Sequence, residues 1–98
     1  PCNRSVMEFV HEKFGKCVVS ELTQKQLEDF QIDVKGLLNE PLSVWRGMTV
    51  RSAIKRGFLV EPAWKVEDVD TAKPSQIIWI SNCITKVIAE VTRVDPLS

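Results

Sequence analysis

The sequence predicts a mostly α fold, a small domain of three to four helices, and three observations carry that expectation. The last third holds an aliphatic stripe at helical spacing, Ile77, Ile80, Ile84, Val87, Ile88, Val91 and Val94, which no proline interrupts before Asp95-Pro96. Thr23 and Gln26 stand three residues apart at the head of a second stripe, the signature of a capped helix start. Between these two, the stretch from Val44 to Asp70 opens as a helical run carrying only positive charge (Arg46, Arg51, Lys55 and Arg56) until Gly57 stops it. A minor β-hairpin is the one addition to this scheme, either near the N-terminus or within 58–66.

At the N-terminus, Ser5 and Glu8 have the spacing of a capping box, and Val6, Phe9, Val10 and Phe14 recur near helical spacing. The preferred reading is a short helix ending at Gly15. Its rival is a hairpin turning at Gly15-Lys16, since Cys17-Val18-Val19 has strand character.

The next helix starts at Thr23, with Leu22 and Leu27 placed for a hydrophobic staple and Leu27, Phe30, Val34, Leu37 and Leu38 on one face. Glu28 and Asp29 lie opposite. Gly36 weakens its end by roughly 1 kcal/mol relative to alanine, and Pro41 bars continuation. The basic helix follows over about Leu42 to Arg56. Val50, Ala53 and Ile54 form its core stripe, while Val44 and Met48 lie elsewhere on the helix, which points to cover on two sides. Gly57 occupies the position where a left-handed residue ends a helix.

Phe58 to Val66 is short and broken by Pro62, which suits an extended connection or a small hairpin. Val66 to Asp70 is read as one helical turn. Lys73-Pro74 opens the last helix, with proline in the first turn where its missing N–H costs nothing.

The 98 residues carry 13 basic and 13 acidic side chains, a formal net charge of zero, which suits a single soluble domain spanning 1–98. No apolar run approaches the roughly 20 residues that cross a bilayer, and no signal-peptide pattern opens the chain. An odd cysteine count, Cys2, Cys17 and Cys83, fits free thiols in a reducing compartment, hence a cytoplasmic protein or a particle component assembled there.

No constellation identifies a reaction. Cys2, His11 and Cys17 match no zinc spacing, and Cys83 is distant on the last helix. Serine nucleophile chemistry needs a base, and the lone His11 stands in no such motif. The glycines are scattered, so no phosphate cradle precedes a helix. Glu67 and Asp68 read as solvated or capping carboxylates near a helix start. The expectation is a protein that is not an enzyme and holds neither cofactor nor metal.

Two binding functions remain. The basic helix followed by Phe58-Leu59-Val60 and Trp64-Lys65-Val66 has the form of a recognition helix and wing, with Arg46, Arg51, Lys55 and Arg56 facing phosphates. Acids flank that helix, however: five acids and two lysines lie between Glu21 and Glu40. Charge complementarity within the chain, or with a protein partner, is the favoured reading. Trp79 points away from the aliphatic stripe, towards Asn82, Lys86 and Arg93, and marks a protein-binding surface, for another protein or a second copy of the chain. The opposing reading is that the N-terminal segment, near Phe9 and Phe14, folds over it. Trp45 and Trp64 are read as core or rim packing.

The pattern Val50-Arg51, Ala53-Ile54, Gly57, Leu59, Pro62, Trp64, Glu67-Asp68-Val69-Asp70, Pro74 and Trp79 resembles a class of small phage and prophage proteins of the tail-assembly region, often described as tail-assembly chaperones. The likeness runs from about Gly15 to the C-terminus and includes no catalytic signature. It implies a non-enzymatic protein that binds other virion components during assembly, in the host cytoplasm or the virion. No site residue is implied by it. The alternative is a small winged-helix-like DNA-binding regulator that uses the basic helix over 44–56.

Overall fold

The computed structural model describes residues 6–37 and 39–93. Elements follow in the order β1 (Val6–His11), β2 (Gly15–Ser20), α1 (Gln24–Lys35), α2 (Leu42–Lys55), β3 (Leu59–Glu61), α3 (Asp68–Thr71) and α4 (Pro74–Val91). The three strands form one antiparallel sheet in the order β1-β2-β3. The fold is thus mixed α/β, four helices beside a small sheet, and less purely helical than the sequence predicts.

The N-terminal segment accounts for most of that difference. It is a hairpin rather than a helix ending at Gly15. Val6 to His11 pair with Ser20 to Gly15 in unbroken register, and Gly15 takes φ +86°, a conformation that glycine adopts without strain. His11 stabilises the turn: its Nδ1 accepts from the Lys13 amide at 3.0 Å and from the Phe14 amide at 3.3 Å. Glu8 is therefore a strand residue, ion-paired with Lys16 at 3.8 Å, and caps no helix. Ser5 lies outside the described residues.

β2 is the central strand and the most buried. Cys17 and Val19 on one face are fully covered. The segment over 58–66 forms no hairpin of its own. Its strand, β3, pairs with β2, with a register shift between Val18 and Val19, and the Ser20 amide donates to the Phe58 carbonyl at 2.9 Å.

The helices begin and end for the expected local reasons. Thr23 and Gln26 form the reciprocal capping box of α1. Phe30 is its buried residue, with Val34 packed against the core, and Leu38 lies outside the described residues. α2 ends in a Schellman motif: the Phe58 amide reaches the Ala53 carbonyl at 3.0 Å and the Gly57 amide the Ile54 carbonyl at 3.1 Å. Gly57 sits at φ +84°, and Phe58 turns back into the core with no exposed surface. Its ring meets Phe30 edge-on at 5.8 Å.

α2 packs against both α1 and α4, burying Gly47, Thr49, Val50, Ser52 and Ala53. Val44, expected under cover, is 40% exposed. α4 supplies Ile77, Ile80, Ile84 and Val87 to the core, together with Cys83 and Ser81, which the aliphatic stripe does not include. The helix stops at Val91, itself exposed, one turn short of the predicted Asp95-Pro96, which lies outside the described residues along with Val94. No helix among the described residues is long and apolar enough to cross a membrane.

Candidate functional site

The hairpin and α4 meet along a groove. Alternation along β1 sends Met7, Phe9 and His11 to one face and Val6, Glu8 and Val10 to the other. Two of the first set meet α4: Lys86 Nζ stands 5.9 Å from the Phe9 ring centroid, and His11 lies 5.3 Å from Trp79. Phe14 completes a three-ring cluster, stacked on His11 at 4.6 Å and 5.9 Å from Trp79. The hairpin tip thus covers part of Trp79, which is half-buried. Beyond the rings an open groove of about 510 Å³ runs between strand and helix, lined by Phe9, Val10, Trp79, Asn82, Cys83, Thr85 and Lys86.

Of the residues that the sequence assigns to a protein-binding surface, the fold brings Trp79, Asn82 and Lys86 to this groove. Arg93 is not among its lining residues. It lies beyond the end of α4 and pairs with Glu90 at 3.7 Å. The strand half of the groove, Phe9 and Val10, escapes the helical reading of the N-terminus. The Val18-Val19 pair beyond a glycine is the signal that points to it.

The four basic residues of α2 are spread over different surroundings. Arg56 is clamped by Asp33 of α1, Nε to Oδ2 at 2.9 Å and an Nη to Oδ1 at 2.8 Å, and Ser52 Oγ donates to the same carboxylate at 2.6 Å. The Arg56 hydrogen bonds, more than the Ser52 hydroxyl, hold the Asp33 carboxyl below the usual carboxylate range, against the partial burial that opposes ionisation. Arg51 meets Asp70 at 2.6 Å. Arg46 is half-buried along a second groove, about 370 Å³, that α2, α3 and α4 line with Val44, Val69, Ile77 and Ile78. Lys55 is exposed. Two of the four cations thus have carboxylate partners within the chain.

The cysteines sit differently from the sequence expectation. Cys83, distant in sequence, lies near Cys17 in the core that β2 and α4 share. Both thiols are buried. Burial, then the neighbouring Cys83, pushes the Cys17 thiol up to about 12, and burial likewise raises Cys83. His11 has one ring nitrogen engaged by the turn, and Cys2 lies outside the described residues. No group of three or more His, Cys, Asp or Glu among the described residues is placed to hold a metal ion.

Comparisons with protein-family models, with curated proteins and with solved structures find no match to this chain.

Proposed function

We propose that this chain acts by binding another protein through the face formed by the hairpin and α4, as a non-enzymatic component of virion assembly. One observation carries the reading: the open groove flanked by half-buried aromatic rings and by Asn82, Thr85 and Lys86. Aromatic side chains with a polar rim are what protein interfaces use for affinity and orientation. The likeness of the 50–79 pattern to tail-assembly proteins supplies the assembly context. The engagement of Arg51 and Arg56 by Asp70 and Asp33 supports the protein-binding reading over the nucleic-acid one, because a helix that grips phosphate needs its cations free.

The test is pairwise co-expression of the chain with each protein encoded beside its gene. A stable complex is expected with one of them. Asn82→Arg and Lys86→Glu, both at exposed positions, should abolish it without lowering the melting temperature of the isolated chain. The proposal fails if no neighbour binds and a duplex oligonucleotide instead binds with submicromolar, steeply salt-dependent affinity that Arg46→Ala and Lys55→Ala remove.

A further inference from the structure

We infer that the groove takes its partner as an added β-strand: an extended segment of the other protein pairs with the free edge of β1 and places an acidic side chain against Lys86. This inference rests on the protein-binding reading above and specifies the shape and charge of what binds.

β1 is an edge strand, paired with β2 on one side only among the described residues. Among the described residues, nothing pairs with its other edge along the six-residue strand, which leaves outward-pointing main-chain donors and acceptors as a template for a further strand. The usual devices that blunt such an edge are lacking in β1. It holds no proline, its register with β2 is unbroken, and its one acid, Glu8, is already matched by Lys16. The aliphatic side chains along it are open to solvent, Val6 at 45% and Val10 at 79%. The groove begins at this strand and is bounded on its far side by α4. A strand laid along β1 therefore sends alternate side chains into the groove, towards the rings of Phe9 and Trp79.

Charge selects the occupant. Lys86 is the one ionisable amine among the lining residues, it is exposed, and it makes no ion pair among the described residues. Its position over the Phe9 ring puts it on the Phe9 face of the sheet. A second copy of this chain pairing β1 with β1 offers only Glu8, which alternation places on the opposite face and which cannot reach Lys86. A different protein, with an aliphatic residue and a carboxylate two apart on one face of an extended segment, satisfies both the rings and the amine.

The experiment is selection of a displayed random dodecapeptide library on the immobilised full chain, followed by synthesis of the enriched peptides. Enrichment of an aliphatic residue two positions from Asp or Glu is expected. Lys86→Glu should weaken those peptides roughly tenfold or more and transfer enrichment to Lys and Arg at the acidic position. N-methylation of alternate peptide amides should weaken binding roughly tenfold or more in one alternate set and leave the other unchanged, because only every second amide points at β1. Peptides that need Trp79 and Asn82 but tolerate N-methylation at every position overturn strand addition and leave protein binding at this face standing. Absence of any groove-binding peptide overturns strand addition, and the co-expression test then decides the broader reading by itself. A chain that sediments as a dimer, and whose dimer these peptides compete away, overturns the choice of a different protein in favour of a second copy.

Discussion

Gln26 ties the start of α1 to the end of α2. Its side-chain Nε2 donates to the main-chain carbonyl of Arg56 at 2.8 Å, while its Oε1 accepts the Thr23 amide at 2.9 Å. One amide thus caps two helices at opposite ends. Gln26→Glu keeps the acceptor of the capping box and replaces the donor with a carboxylate facing a carbonyl. It should destabilise the chain by about 1–2 kcal/mol in urea denaturation. A variant as stable as the parent would show that the contact with Arg56 contributes nothing.

Gly57 sits where any side chain must adopt positive φ. The space itself is open, since a Cβ there meets nothing nearer than Gln26 at 3.9 Å. The cost of substitution is conformational. Gly57→Ala should lower stability by about 1–2 kcal/mol, and Gly57→Val by more, because branching at Cβ is poorly tolerated in the left-handed region. Equal losses for the two variants would contradict this account.

Trp79 is anchored by the hairpin tip. Trp79→Ala should cost about 2–3 kcal/mol in the isolated monomer, below the roughly 3–5 kcal/mol of a fully buried aromatic, because the ring is only half covered. Phe14→Ala should weaken the same contact, and the double variant should lose less than the sum of the two single losses, since both remove one ring–ring interaction. Full additivity would show that the two rings act independently.

Asp33 gives the fold a specific acid sensitivity. Its carboxyl is depressed in the native state, so the stabilisation is complete above the unfolded-state value of about 3.9 and is lost as pH falls below that towards the native value. Asp33→Asn should therefore be less stable than the parent at neutral pH, and the gap should narrow as the solution is acidified. Melting curves from pH 7 down to 2.5 provide the measurement, and a gap that stays constant with pH would assign the loss to packing.

The buried thiols work at the other end of the scale. Cys17 and Cys83 are both raised, so their contribution is complete below the unfolded thiol value near 8.5 and falls as pH rises above it. Native protein should label slowly with iodoacetamide at these two positions at pH 8, and denatured protein rapidly. Rapid labelling of Cys17 in the native state, located by peptide mapping, would contradict its burial.

The helices were legible because their evidence is local. Thr23 with Gln26, Gly57 after a cationic turn, Pro74 at a helix start and the isoleucines of α4 each act over a few residues, and each is found where its chemistry places it. The hairpin was legible only as the rival reading, because Val6, Phe9, Val10 and Phe14 satisfy a helical period as well as they satisfy strands. What decides between them is pairing with β2 and cover from α4, and neither is a property of the segment itself. β3 and the closeness of Cys17 to Cys83 are equally non-local. The candidate site divides along the same line: its helical rim, Trp79, Asn82 and Lys86, follows from a helical wheel, whereas Phe9 and Val10 enter only once β1 is known to be a strand.

The two outer strands are attached on very different terms. β1 joins β2 through a tight turn, whereas the Ser20 contact with Phe58 that begins the β3 pairing spans 38 positions. Closing so long a loop carries an entropic cost that a short turn avoids. During synthesis the hairpin can therefore assemble as soon as it emerges, yet β2 keeps a second bare edge until residues 59–61 arrive. A nascent or clipped chain that ends inside α2 presents Cys17 to Ser20 with one whole side unsatisfied, together with an uncovered apolar face. Such a fragment is a ready nucleus for aggregation, and in the intact chain a three-residue strand closes that edge while α4 covers the face.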